Sequence, residues 1–234
     1  MSLPGTAFLA LWNDRGGDRN DYETWHSREH VPERLGIPGI LAGRRYVNGQ
    51  GPLPAYFTLY PLSDLSVLSS PDYEAVVGRP TAWSRSMRPA LTRMYRRGCV
   101  TTISLGAGLA GHLAAVLLRR DRTDPDIGIF DAVAEDPGIS ALHLGDIGEI
   151  PPLPFEPQPD DLPDMHGILL VEGFDEGIFR TSLDRVDALI AQSGYAKLTA
   201  WTCYRLAFAL DETEAEDTLP ASASFVDPSR NCAL

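Results

Sequence analysis

Apolar residues alternate with small or polar ones in short runs along most of this chain, and four such runs in each half predict β-strands. In the first half they are 6–12 (TAFLALW), 40–47 (ILAGRRYV), 55–62 (AYFTLYPL) and 99–105 (CVTTISL). Residues 18–35 predict a helix between the first two, with Asp18 or Asn20 as N-cap and Pro38-Gly39 stopping the chain before the next strand. A second helical region, 62–96, is interrupted by Pro71, Pro80 and Pro89. The resulting order is β-α-β-β-α-β, the ferredoxin-like arrangement.

The second half repeats that order, with strands predicted at 112–119, 139–146, 166–173 and 196–210 and helices at 126–135 and 176–192. The latter helix carries Ile178, Leu183, Val186, Leu189 and Ile190 as an apolar stripe opposite Asp184, Arg185 and Asp187. Pro38-Gly39-Ile40 and Pro137-Gly138-Ile139 align the two halves, and order and spacing together indicate a duplication. The expected fold is α+β: two tandem ferredoxin-like units, 5–108 and 109–210, with antiparallel sheets packed as a pseudo-dimeric α+β barrel. Residues 150–164 hold six prolines, cannot pair regularly in a sheet, and read as a long connection crossing the surface or lidding an opening. Met1–Leu3 are assigned no structural role, and 211–234, opening on the acidic run 211–217 (DETEAED), predict a solvated, mobile tail.

Charge and composition narrow the partners. A net charge of −12 repels phosphate backbones and excludes nucleic acid. No apolar run reaches the about 18 residues that would suggest a membrane span. The opening segment lacks a basic region followed by a cleavage site and reads as a strand rather than a signal peptide. Cys99, Cys203 and Cys232 form no C-x-x-C pair, which fits a reducing cytoplasm and no disulfide framework.

The chemistry concentrates at 25–32, WHSREHVP. On a helical wheel Tyr22, Trp25, His26, Glu29, His30 and Glu33 share the side that should meet the sheet. Titratable groups on a packing face cost free energy unless bonded, so this helix borders a cavity or has polar partners. Three readings compete. His26, Glu29 and His30 spell H-x-x-E-H, the inverted zinc-protease pattern. Zinc would need a third ligand, from His143, His166 or a carboxylate, and Pro32, Gly36 and Pro38 close the helix early for that scaffold. The expectation is therefore no metal and no other cofactor. A second reading makes the two histidines structural.

The favoured reading is a pocket for a small-molecule substrate or ligand. His30 would move a proton near neutral pH, helped by His26 and Glu29. Tyr22, Trp25, Tyr46 and Trp83 would form apolar walls, and Arg44 an anion partner. Side chains alternate along a strand, so only one of Arg44 and Arg45 can face the interior; if Arg44 does, so does Tyr46. The second half has no histidine in its 126–135 helix, and His143 falls where the alignment puts Arg44, so its site is degenerate.

The run Trp25 to Tyr46, W-H-x-x-E-H-V-P-E-R-L-x-I-P-G-I-L-x-G-R-R-Y, resembles the EthD-like branch of the dimeric α+β barrel superfamily. The stretch 80–91 (PTAWSRSMRPAL) is similar to the same proteins, and the likeness covers roughly residues 5–105. It implies a ferredoxin-like barrel, commonly completed by a homodimer and here by tandem repeats. The superfamily holds cofactor-free monooxygenases of polyketide quinones, isomerases, decarboxylases, dehydratases and haem-dependent enzymes. On that likeness His30 matches the acid/base histidine, whereas His26 stands where relatives often have another residue; no signal for haem is present. The implied function is a cofactor-independent enzyme acting on a small carbonyl or aromatic polyketide-like compound. The alternatives are a non-catalytic small-molecule-binding or assembly barrel, and a zinc site on His26 and His30.

Overall fold

The computed structural model describes residues 3–153 and 165–218; most of the proline-rich connection and the last sixteen residues lie outside that range. The first half runs β1 (Ala7–Arg15), α1 (Arg19–Trp25), a π-helical turn (His26–His30), α2 (Val31–Leu35), β2 (Ala42–Gln50), β3 (Tyr56–Leu62), α3 (Pro71–Gly78), α4 (Ala82–Met87) and β4 (Leu91–Gly106). The second runs β5 (His112–Arg120), a 3-10 stretch (Ile127–Glu135), β6 (Ala141–Gly148), β7 (Gly167–Gly173), α5 (Glu176–Ser193), β8 (Tyr195–Lys197), β9 (Thr202–Asp211) and α6 (Glu212–Thr218).

All strand pairings are antiparallel. The first-half strands lie in the order β4-β1-β3-β2; β2 continues onto β9, then β5, β7 and β6, and β6 returns to β4. Eight strands thus close a barrel within one chain, each of them paired on both sides. The short β8 lies along β5 beyond the end of β9, so the predicted 196–210 strand is split at Leu198–Trp201 and pairs inside the chain.

Alternation along each strand divides two buried faces. Phe8, Ala10 and Trp12 of β1 point into the barrel, where Trp12 stacks on Phe57 at 4.8 Å between ring centroids. Ala7 and Leu9 point outward to Val31 and Leu35 of α2. Gly43 permits that close approach, since a Cβ there would sit 2.5 Å from the Val31 Cγ1. In the second half Val116, Leu144 and Leu169 pack outward on Phe179, Val186 and Ile190 of α5. That helix starts at Asp175, whose side chain accepts from the Ile178 N–H, and ends at Gly194, whose φ of 92° suits only a residue without a Cβ.

Several expectations are corrected. Leu3 is buried in the barrel interior and so has a structural role. The helical region expected over 62–96 ends at Ala90, with Pro71 opening α3 and Pro89 in a 3-10 turn. β4 begins at Leu91, earlier than predicted, because Arg93, Arg96 and Arg97 hide its alternation. Residues 212–218 of the expected tail form α6, while its remainder, 219–234, lies outside the described residues; Asp211 accepts from the Glu214 N–H, and Ala215 is buried in the outer core with Val31 and Leu35. Among the described residues no helix is long and apolar enough to cross a membrane.

The barrel interior also holds charge. Glu172 is wholly buried and takes Arg44 Nη1 at 3.3 Å on Oε1 and the Ala110 N–H at 3.1 Å on Oε2. His143 Nε2 is 3.6 Å from the same Oε1, and its Nδ1 is 3.0 Å from Ser104 Oγ.

Candidate active site on the outer face of the first sheet

The site begins with the helix that crosses the outer face of β1 and β3. Asp18, not Asn20, caps it, accepting from the Asn20 N–H at 2.8 Å. At His26–His30 the helix widens: the Val31 N–H bonds back five residues, to the His26 carbonyl. Pro32, next along, has no N–H to offer, so the regular ladder loses a bond just where the wide turn sits. The geometric consequence is decisive. Five residues apart on an α-helix, Trp25 and His30 would diverge by about 140° at about 100° per residue. In the wide turn their rings lie 4.5 Å apart, with His26–His30 at 5.0 Å and Trp25–His26 at 5.4 Å.

Both imidazoles border a cleft of about 750 Å³, part of it open to solvent. Its walls include Tyr22 and Trp25 from α1, Tyr73 and Val77 from α3, and Met94 and Arg96 from β4; Glu33, Arg34 and Arg88 also line it. His26 is 4% exposed, with Nε2 3.4 Å from Thr58 Oγ1 and Nδ1 lacking a partner. His30 Nδ1 is also buried without a partner. Burial, followed by Arg45 and His30, holds His26 well below the ordinary histidine value; burial, followed by Arg34, Arg45 and Arg88, does the same to His30. Both rings are therefore neutral at neutral pH, and each can accept a proton. Burial raises the Glu33 carboxyl, although Arg34 bonds it at 3.2 Å. Tyr22 exchanges hydrogen bonds with Asn13, and burial pushes its hydroxyl up to about 12.

The remaining expected residues divide. Glu29 points to α4, accepting from Thr81 Oγ1 at 2.5 Å and Ser84 Oγ at 3.1 Å, while Trp25 Nε1 donates to that same Ser84 hydroxyl at 3.2 Å. It braces the helices rather than an imidazole. Trp83 bonds Asp21 at 3.2 Å and packs at the edge of the Tyr22–Trp25–Met87 cluster, outside the cleft lining. Arg44 and Tyr46 do face an interior together, but it is the barrel interior, on the opposite side of the sheet from the histidines. Arg45 is the arginine on the helix side: it is 1% exposed, pairs with Glu23 and lies 4.8 Å over the Tyr22 ring. Arg34, Tyr73, Arg88 and Arg96 were not anticipated. Arg88 lies within the 80–91 stretch of family likeness, whereas Arg96 fell in a segment read as helical. For zinc, His143 lies in the barrel interior, and no group of three histidine, cysteine or acidic side chains suited to a metal forms among the described residues.

The depressed histidines make stability pH-dependent. The unfolded chain takes up protons on these two rings near pH 6.5, while the folded chain resists until lower pH. Their contribution is thus intact above about pH 6.5 and is lost as pH falls from there toward the depressed values. Urea midpoints measured between pH 7.5 and 5 should fall more steeply in the parent than in the His26→Gln, His30→Gln double variant. Equal slopes would show that these rings do not titrate differently on folding.

No family model and no curated protein matches the sequence. Solved structures do match in shape. An anthrone oxidase-like protein superposes with a TM-score of 0.63 at 8% identity, over 91% of this chain and 95% of its own. A protein of Fusobacterium nucleatum subsp. nucleatum named as a monooxygenase gives 0.53 at 9%, over 88% and 95%. Another so named, from Lactobacillus acidophilus, gives 0.53 at 7%, over 88% and 97%. At these identities the likeness is one of fold: the chain is an α+β protein with a closed antiparallel barrel of the kind these proteins share.

Proposed function

We propose that this chain is an EthD-like, cofactor-independent enzyme that moves a proton on a small aromatic, polyketide-like carbonyl compound. The observation that carries this reading is a neutral His30 with a buried, unpartnered ring nitrogen beside a cleft walled by aromatic side chains. In the step itself, His30 takes a proton from an acidic carbon conjugated with the substrate carbonyl, as the methylene of anthrone is through its rings. The C–H electron pair passes to the carbonyl oxygen as an enolate, and the imidazole becomes imidazolium. Arg34 and Arg88 disfavour the imidazolium alone, but they also stabilise the enolate formed with it. His26 supports the ring beside it, and Glu29 positions the helix through α4. An anthrone oxidase-like protein and two named as monooxygenases among the structural neighbours agree with a small-molecule substrate.

The same proposal includes two tandem ferredoxin-like units. In its support, β4-β1-β3-β2 and β9-β5-β7-β6 trace the same path through the sheet, and the aligned Arg44 and His143 meet on one carboxylate. A barrel closed in this way needs no second copy for closure.

The test is proton exchange. Anthrone in deuterated buffer should lose its acidic methylene protons faster with the protein than without it, as followed by NMR. Binding without any acceleration would instead support a non-catalytic binding barrel.

A further inference from the structure

Arg96 projects from β4, opposite Leu11 of β1, and lines the cleft while only 3% exposed. Its guanidinium lies 5.6 Å over the Tyr73 ring. Nη1 donates to the Pro151 carbonyl at 2.7 Å and Nη2 to the Tyr73 hydroxyl at 3.2 Å, both neutral acceptors. Nε is buried with no acceptor, and among the described residues no carboxylate lies within ion-pair distance of this side chain. A buried cation without a counter-ion is costly, and a structure keeps one when something else supplies the charge.

The surroundings say what that is. The chain carries −12 overall, yet among the described residues the charged side chains lining the cleft are three arginines, Arg34, Arg88 and Arg96, and one carboxylate, Glu33, which is bonded to Arg34. Tyr22, Trp25, Val77 and Met94 give the cleft an aromatic and aliphatic wall, which the neutral polar Asn13, Thr58 and Ser84 share. A planar guanidinium fork matches a planar carboxylate, and the apolar wall suits a flat ring system.

We propose that the ligand of this cleft is an aromatic carboxylic acid whose carboxylate is held by Arg96, with its ring system against the Trp25–His30 face. This rests on the cleft being the ligand site, as in the function proposed above, and adds the charge and anchoring point of the ligand.

Calorimetry with 1-hydroxy-2-naphthoate and its uncharged amide separates the two claims. The unmodified protein should bind the acid at least about ten-fold more tightly than the amide, the scale of one hydrogen bond to a charged group. In Arg96→Gln that ratio should fall to near one, chiefly through loss of affinity for the acid. Should that variant not fold, Arg96→Lys, which keeps the charge but loses the fork, should reduce the ratio without abolishing it. Equal binding of acid and amide by the unmodified protein would overturn the acid class and leave the aromatic cleft standing. A preference for the acid that persists in folded Arg96→Gln would overturn Arg96 as the anchor. If neither compound binds, the inference and the ligand-site reading beneath it fail together. Preference for the acid without proton exchange on anthrone would leave the anchor intact and reject catalysis.

Discussion

His30→Ala should slow the exchange of anthrone protons by about 100- to 10,000-fold, the usual contribution of a positioned general base, while ligand affinity stays within a few-fold of the parent. The expectation follows from the state of the ring. Burial and the Arg34, Arg45 and Arg88 charges hold it neutral, and its buried Nδ1 has no partner to give up before taking a proton. A base with a depressed pKa stays competent as the medium is acidified. The parent rate should therefore be flat from pH 8 to about 6.5, with its acid limb displaced to lower pH than an ordinary histidine would give. Stopped-flow or NMR exchange rates across that range check both points. Exchange by His30→Ala at the parent rate would remove His30 from the mechanism. His26→Ala is the sharper control, because that ring already contacts Thr58 and its loss should cost less.

Glu172→Leu should destabilise the fold by about 3–5 kcal/mol, as expected when one member of a buried ion pair is removed and the other charge stays behind. Arg44 would keep its charge in the barrel interior without its carboxylate, and the Ala110 N–H would lose its acceptor. Urea unfolding reads the loss directly. Adding Arg44→Leu should recover a large part of it, since the stranded charge is then gone, and the double-mutant cycle isolates the pair. A loss under about 1 kcal/mol in the single variant would mean that Glu172 does not hold this cluster. The position lies across the sheet from the histidine cleft, so the folded fraction of Glu172→Leu should retain exchange activity.

The two predictions use opposite faces of one sheet, and that is where sequence reading met its limit. Arg44 and Tyr46 were paired correctly by the two-residue period of β2, yet assigned to the wrong cavity. Period alone separates the two faces of a strand; in a closed barrel with helices outside, both faces are buried. Nothing local distinguishes the barrel interior from the helix side, so Arg45 rather than Arg44 stands near the histidines. Glu29 shows a related limit. Its place on the packing side of the helix was readable, but its bonds to Thr81 and Ser84 depend on where α4 docks. Arg96 was hidden because a strand rich in arginine carries a weak alternation.

By itself the sequence determined the order of the elements, the alternation that makes the sheets, the Asp18–Leu35 helix with its two histidines, and the absence of an ordinary apolar packing face on that helix. These follow from contacts between residues close along the chain, which the amino-acid pattern records directly. Only the tertiary structure decided that β2 meets β9 and β4 meets β6 to close the expected barrel, that a π-helical turn before Pro32 brings Trp25, His26 and His30 together, and that Arg44, His143 and Glu172 share the barrel interior. Each of those depends on groups brought together by barrel closure or on a change in helical register, and neither leaves a period in the sequence.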